Sequence, residues 1–205
     1  QFTGDIYNYG DTVWNITGGT FSSDVSEYVT EGYIQDENGT VAQLGPDNAV
    51  AQVGDSYYAT LSEAFSKASS GDTVKVLSNT DISGSKVVVS ANKSLTLDLN
   101  GKEVQAVNNG NIFVSGKLTI CDTSDGAQGT IRATQKYGGS NTGGIVVASG
   151  EDALLTMESG NIVASGFEDP KNNGQFGVMV QGGGDFTMTG GKIEAGWYAA
   201  AGNGN

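Results

Sequence analysis

The sequence contains no histidine and only one cysteine, Cys121. A single cysteine cannot form a disulfide within the chain. Without histidine, the commonest metal ligand and the commonest general base of enzymes are both absent. These absences argue against imidazole-based catalysis or metal binding, and Cys121 is interpreted as a small structural residue.

Positive charge is also scarce. The 205 residues include nine lysines and one arginine, Arg132, against 23 acidic residues, which gives a net charge of −13. Nucleic acids and anionic membrane surfaces both require a basic footprint, so neither is expected as a partner. Hydrophobic residues make up 37% of the chain and are spread too evenly for a membrane span, so no membrane insertion is expected.

An acidic, cysteine-poor composition rich in small polar residues is typical of secreted bacterial surface proteins, and it predicts an extracellular location on a bacterial cell.

Glycine is abundant, with 32 residues, and many of the glycines lie in the turns of a phrase that recurs along the chain. Each copy has an apolar–Thr–apolar strand, a polar turn and another short strand: LTLDLNGKEVQAV (95–107), LTICDTSDGAQGTIRAT (118–134), LTMESGNIVASG (155–166) and FTMTGGKIEAG (186–196). The threonines of the phrase are Thr96, Thr119, Thr156 and Thr187, which lie 23, 37 and 31 residues apart. A short apolar strand precedes each copy, so each unit predicts three short strands bounded by turns.

Three short strands per unit predict an all-β fold, the β-solenoid. In this fold parallel rungs stack around an apolar interior, and loops of variable length leave at the corners. A β-sandwich is the alternative, because Asn-Gly and Gly-Gly turns also favour hairpins. The same strand order in every copy favours the solenoid.

One amphipathic helix is predicted at about residues 60–70, directly before the first unit. Thr60 and Glu63 have the spacing of a capping box, and Gly71 is expected to end the helix. The apolar residues fall on one stripe: Leu61, Ala64, Phe65 and Ala68. Because the end of a solenoid exposes its interior, we expect this helix to cap the first rung through Thr60, Leu61, Glu63 and Phe65.

Three stretches carry a resemblance to known proteins. VAQVGDSYYATLSEAFSKASSGDTVKVLSNTDIS (50–83) resembles the capping segment that opens many right-handed parallel β-helix domains of the pectate-lyase-like type. LTLDLNGK (95–102) and ITGGTFSSDVSEYVTEGY (16–33) are similar to repeats of large secreted surface proteins of anaerobic, Gram-positive-type bacteria. The resemblance implies a right-handed parallel β-helix. It implies no particular activity, because this fold hosts lyases, hydrolases, adhesins and inert stalks.

Three segments are predicted. Residues 56–205 carry the capping helix and the rungs, and residues 24–55, which do not fit the rung pattern, are interpreted as a small linking subdomain. Residues 1–23 contain WNITGGTF (14–21), which matches FTMTGGKI (186–193) and is predicted to complete a rung of a preceding unit.

The spacing of these phrases leads to a hypothesis about assembly. With Asn15 aligned to Thr187, the Asn15 of a directly following copy would lie 33 residues beyond Thr187, within the range of 23 to 37 seen inside the chain. The chain is therefore interpreted as one period of a tandem array, or as a subunit whose N-terminal strand completes another copy. Both versions join copies head to tail and propagate into a fibre. An arbitrary boundary between ordinary first and last rungs is the alternative.

Few residues suggest chemistry. Arg132 with Asp122 and Asp125 resembles part of a polysaccharide lyase or hydrolase site, but a solvated strand arginine paired with a turn carboxylate is the favoured interpretation. We expect no catalytic residue and no cofactor, with a structural Ca²⁺ at the acidic turns DTSDG (122–126) or DENG (36–39) as the alternative to simple Asx turns.

Aromatic residues cluster towards both ends of the sequence: Tyr7, Tyr9, Trp14, Trp197 and Tyr198. If the ends of two copies join, these residues fall within one rung and its loop. They would then pack the junction or form a platform for host or microbial glycans. The sequence thus favours a structural repeat unit of an extracellular stalk or filament. A carbohydrate-binding adhesin module and a polysaccharide-degrading β-helix are the first and second alternatives.

Overall fold

Short strands rich in Val, Ile, Leu and Thr, many of them followed by glycine-containing turns, fold into a parallel β-solenoid, as the repeats predict. A computed structural model describes residues 13–107, 112–134, 144–165, 176–196 and 198–203. The strands are β1 (Gly19–Thr20), β2 (Tyr33–Gln35), β3 (Thr40–Gln43), β4 (Ala51–Val53), β5 (Ser56–Tyr58), β6 (Thr73–Val76), β7 (Thr80–Asp81), β8 (Val87–Val89), β9 (Ser94–Asp98), β10 (Glu103–Val107), β11 (Ile112–Val114), β12 (Lys117–Cys121), β13 (Thr130–Thr134), β14 (Gly144–Ser149), β15 (Leu154–Met157), β16 (Asn161–Ser165), β17 (Phe176–Gln181), β18 (Asp185–Met188), β19 (Lys192–Ala195) and β20 (Tyr198–Asn203). A 3₁₀ turn spans Ser26–Tyr28, and helix α1 spans Leu61–Lys67.

The strands from β6 onwards wind through three sheets. Every third strand returns to the same sheet, in the orders β18-β15-β12-β9-β6, β19-β16-β13-β10-β7 and β20-β17-β14-β11-β8. We call these sheets A, B and C, and we number the rungs from β6–β8 (rung one) to β18–β20 (rung five). All pairs between successive rungs are parallel. Sheet A extends beyond β6 through the antiparallel hairpin β4–β5.

The register follows the repeated phrase. Thr96, Thr119, Thr156 and Thr187 pair in succession along sheet A. Side chains alternate between the two faces of a strand, so the flanking apolar residues face inward and stack from rung to rung. Buried residues from all three sheets form this continuous interior: Leu97, Val104, Ile112, Leu118, Ile120, Ile131, Leu155, Met157 and Ile162.

Helix α1 covers the interior at rung one. The Thr60 hydroxyl accepts a hydrogen bond from the Glu63 amide at 3.1 Å, which is the N-terminal cap that the spacing predicts. Leu61 and Phe65 are each 1% exposed, and the helix packs against β4, β5, β6 and β8. The expected end at Gly71 is wrong: Ala68 is already extended and its amide bonds to the Ala64 carbonyl, so the helix stops at Lys67.

A small antiparallel sheet with the order β1-β3-β2 precedes the solenoid. Val41 of β3 and the nearby Val25 are buried, and an ion pair of 2.6 Å between Glu31 and Lys67 joins this region to α1. The sheet takes up part of the predicted 24–55 segment, whereas β4 belongs to sheet A of the solenoid. In this copy β1 pairs with β3, and the proposed role of residues 1–23 in a neighbouring rung stays a prediction.

Candidate functional site

No strand in the described part of the chain pairs with the outer side of rung five, and no helix packs over that side. At the other end, β7 and β8 are also the last strands of their sheets, but β4 pairs with β6 and helix α1 covers the interior. β18, β19 and β20 are each the last strand of their sheet. Their outer edges present backbone N–H and C=O groups along the axis of the solenoid, on the side away from rung four. An unpaired strand edge of this kind is a template for another strand.

The side chains of rung five are also incompletely covered. Met157 and Met188 occupy paired positions of β15 and β18. Met157 is fully buried, whereas Met188 is 43% exposed. Phe186 and Ile193 continue the interior columns of sheets A and B and are only partly buried. Rung five therefore presents an apolar surface bounded by three strand edges, which we call the rung-five edge.

The second apolar feature is the segment 13–16 at the start of the described chain. Val13 is 80% exposed and Trp14 is 43% exposed. Ile16 is held on one side: its amide donates to the Tyr28 carbonyl and its carbonyl accepts from the Thr30 amide, both at 3.0 Å. This segment, with apolar side chains in solvent, is therefore held at Ile16 by the backbone of residues 28 and 30, which precede β2 in the chain.

Three of the five residues of the predicted aromatic cluster fall outside the part of the chain that the structure describes. Tyr7, Tyr9 and Trp197 lie outside the described residues. For Tyr198 the structure gives the backbone, which pairs with Phe176 in sheet C. Trp14 is thus the one member whose side-chain exposure is known, and the common platform stays a prediction.

The suggested catalytic group is divided between two unrelated settings. Arg132 lies on β13, and its Nε donates to Glu103 Oε2 at 2.8 Å on the neighbouring strand β10. Both side chains are 37% exposed. Asp122 instead lies in the turn after β12, where its carboxylate binds backbone amides. The structure therefore gives Arg132 a carboxylate partner other than the two in its own loop.

Asp122 and Asp98 clasp the corners of rungs two and three together. Asp122 Oδ1 accepts hydrogen bonds from the Gly101 amide at 3.0 Å and the Ser124 amide at 2.9 Å, and Oδ2 accepts one from the Gly129 amide. In the other direction, Asp98 accepts from the Thr123 amide at 3.0 Å and from its hydroxyl at 2.7 Å. Asp98 thus satisfies two donors of rung three, and Asp122 satisfies one donor of rung two and others in its own turn, which is why both are tolerated as buried groups.

The hydrogen bonds to Asp122 have an electrostatic consequence. Burial raises the pKa of Asp122, but the hydrogen bonds from Ser124, Gly129 and Gly101 outweigh it, so the pKa lies below its ordinary value. Sequence reasoning missed this clasp, although the signal was present: an aspartate follows the threonine strand in both LTLD and LTICD.

The other candidate groups have structural surroundings. Asp36 of the DENG turn accepts from the amides of Asn38 and Thr40 at 2.9 and 2.8 Å, which makes it an Asx turn. Burial, together with nearby carboxylates, raises the pKa of Cys121 to about 11, so this half-buried thiol is protonated at neutral pH. Within the described residues, no three His, Cys, Asp or Glu side chains are grouped as metal ligands.

Neither membrane spans nor known relatives supply a further lead. Among the described residues, no helix has the length and apolarity needed to cross a bilayer. A scan against protein-family models, a search of curated proteins and a search of solved structures each returned no match to this chain. The rung-five edge and the 13–16 segment are therefore the features on which a functional interpretation rests.

Proposed function

We propose that this chain is a structural repeat unit of an extracellular bacterial stalk or filament, and that copies of it join head to tail through the rung-five edge. The observation that carries the proposal is the contrast between Met157, which is fully buried, and its partner in the register, Met188, which is 43% exposed. A further rung on β18 would complete the interior around Met188 in the way that rung five completes it around Met157.

The physics of such a contact is the same as that inside the solenoid. A strand added to β18 would satisfy backbone groups along the edge and bury Phe186 and Met188, and each fully buried large apolar side chain is worth about 1.5–3 kcal/mol. The two contact surfaces differ, one being a rung edge and the other an N-terminal segment. A contact between unlike surfaces repeats without closing unless the rotation happens to form a ring, and it generates a filament.

The surface charge agrees with a structural role in the extracellular medium. A net charge of −13 keeps individual copies soluble by mutual repulsion. The same repulsion makes association dependent on ionic strength, since exposed charges are screened over about 10 Å at 0.1 M salt. Added salt should therefore promote assembly by the apolar edge.

Sedimentation velocity over a series of protein concentrations tests the proposal, with negative-stain electron microscopy of the same samples. We expect the weight-average mass to rise with concentration and the particles to be linear. The matched control is Met188→Glu, which places a carboxylate where association would bury it and should leave a monomer with an unchanged unfolding midpoint. A wild-type chain that stays monomeric up to its solubility limit, at low and high salt, would overturn the proposal.

One observation supports a second candidate, a carbohydrate-binding adhesin module. Trp14 is 43% exposed, and an exposed indole face can stack on a sugar ring. A glycan array with the wild type and Trp14→Ala distinguishes the two functions. Glycan binding that Trp14→Ala abolishes without changing assembly would favour the adhesin. Assembly that Trp14→Ala abolishes, with no glycan bound by either protein, would favour the stalk.

A further inference from the structure

The segment 14–16 has the residue pattern of the strand missing from the rung-five edge. Aligning WNITGGTF (14–21) with FTMTGGKI (186–193) puts Trp14 and Ile16 at the inward positions of Phe186 and Met188. Asn15 then takes the outward position of Thr187, at the end of the threonine column of sheet A. In this copy Trp14 lies 43% exposed, so the inward side chains of the phrase are not enclosed by their own chain.

The turn after this segment has the backbone conformation of a rung corner. Gly191 and Gly160 are the glycines at the corners between sheets A and B in rungs five and four, and both have φ of +83°. Gly19, at the matching position of the N-terminal phrase, has φ of +109°. This left-handed region strongly favours glycine. The phrase is therefore shaped as strand, corner and strand, although the described part of the chain places no rung beneath it.

The other glycine of the corner, Gly18, gives a more specific indication. A Cβ at Gly190, its counterpart in rung five, would overlap with the Glu158 carbonyl oxygen of the rung below. At Gly18 a Cβ would meet nothing within 4 Å, and its φ does not call for glycine. Rung four has Ser159 at this position, where the rung below has the longer turn 122–129. At rung five, glycine thus occurs where a short corner stacks on the short corner of rung four, and within the described residues no such corner lies beneath Gly18.

From these observations we infer that residues 14–16 of a second copy pair in parallel with β18, with Trp14 opposite Phe186, Asn15 opposite Thr187 and Ile16 opposite Met188. The corner at Gly18 and Gly19 then stacks on the corner at Gly190 and Gly191. This inference rests on the proposed head-to-tail assembly and adds the identity and register of the strand that makes the contact. The small sheet of the incoming copy travels with the segment, because Ile16 is bonded to residues 28 and 30.

The variant Gly18→Ala tests the stacked corners. The folded monomer has space for the methyl group, so its unfolding midpoint should equal that of the wild type. In the assembly the methyl group would meet the backbone of the neighbouring corner, and overpacking of this kind should weaken association about tenfold or more. The control is Gly84→Ala, which also has nothing within 4 Å and no positive φ, and which should assemble like the wild type.

Cross-linking tests the register without relying on Gly18. Chains carrying Asn15→Cys are mixed with chains carrying Thr187→Cys, both in a Cys121→Ala background, and oxidised. Directly paired residues of neighbouring strands lie about 5 Å apart between Cα atoms, within disulfide range, whereas an offset of two residues increases the separation to about 8 Å. We expect covalent heterodimers with Thr187→Cys and at least about fivefold fewer with the control Thr189→Cys, because the control pair lies beyond the usual disulfide limit.

The outcomes separate the two levels of the proposal. Assembly of the wild type, with Gly18→Ala assembling equally well and no preference for the Thr187 cross-link, would overturn this inference and leave the head-to-tail function standing. No assembly of the wild type under any condition would overturn both. Loss of assembly in Gly18→Ala with a folded monomer, together with a preferred cross-link at Thr187, is the expected result.

Discussion

The two ends of the described solenoid differ in how the apolar interior is covered. At rung one, helix α1 covers the interior with Leu61 and Phe65, each 1% exposed, and β4 pairs with the edge of β6. At rung five, Met188 remains 43% exposed, and β18 is the last strand of its sheet. Both ends are built from the same kind of strand. The difference between the two ends of the described stack therefore lies in what covers them, a helix and a paired strand at rung one and no described element at rung five.

The largest expected effect comes from a pair of methionines that differ only in their rung. Met157→Ala removes a fully buried side chain and should lower the free energy of unfolding by about 2–5 kcal/mol through lost burial and a cavity. Met188→Ala, at the paired position of rung five, should cost less than about 1 kcal/mol, because a partly exposed side chain loses little burial. Urea unfolding of dilute monomer measures both.

The same pair of variants should respond differently to protein concentration. Under conditions where the wild type assembles, Met188→Ala should also weaken association, since the side chain is then buried between copies. Equal losses for both variants in the dilute monomer would show that rung five is already enclosed, and the contrast between the two ends would fail.

Sequence patterns predict the repeating part of the fold well. The apolar–Thr–apolar phrase gives both the strands and their register, because each rung repeats the same alternation and the four threonines pair as aligned. Thr60 and Glu63 likewise mark the start of α1, because a cap is a local interaction over three residues. A repeated alternation and a contact over three residues are both visible in the sequence itself, which is why both predictions are confirmed.

Contacts between distant residues were not predictable in this way. The bonds from Asp98 and Asp122 to the neighbouring rung depend on the stacking of two corners of different length, which a single strand pattern does not encode. The pairing of β1 with β3 brings together segments 20 residues apart that share no repeat. Gly71 has a φ of +99°, but in the turn beyond the helix, so its conformation alone did not locate the end of α1.

The next largest effect concerns the clasp in the middle of the stack. Asp122→Asn keeps the shape of the side chain but replaces one acceptor oxygen by an NH₂ group. If Oδ1 is replaced, the amides of Gly101 and Ser124 lose their acceptor, and if Oδ2 is replaced, the amide of Gly129 does. An unsatisfied buried donor costs about 1–3 kcal/mol. Asp125→Asn, in the same turn but exposed, is the control and should change the free energy of unfolding by less than about 0.5 kcal/mol.

The clasp should also make stability depend on pH. The pKa of Asp122 is lowered in the folded chain, so its contribution is fully present above the ordinary carboxyl pKa of about 4 and is lost as the pH falls through the lowered folded value. Unfolding midpoints of the wild type should thus fall more steeply below about pH 4 than those of Asp122→Asn. Parallel curves for the two proteins would contradict this role.

A smaller effect is expected at the capped end. Thr60→Ala removes the acceptor for the Glu63 amide and should cost about 1 kcal/mol, whereas Thr60→Ser retains the acceptor and should restore most of it. Hydrogen exchange of the α1 amides measures the local opening directly. Faster exchange confined to α1 and rung one would sharpen the contrast with rung five. Exchange that accelerates equally in every rung would mean that the cap stabilises the stack as a single cooperative unit.

The smallest effect is expected at the ion pair on the outer face of sheet B. Arg132 and Glu103 are joined at 2.8 Å, but each side chain is 37% exposed, so water and salt weaken their attraction. A double-mutant cycle with Arg132→Gln and Glu103→Gln should give a coupling of about 0.2–1 kcal/mol that declines with added salt. A coupling well above this range that persists at high salt would mean that the outer face of the sheet is itself shielded from water. In that case the side of the solenoid would also exclude water, and exposure alone would no longer distinguish rung five from the rest of the stack.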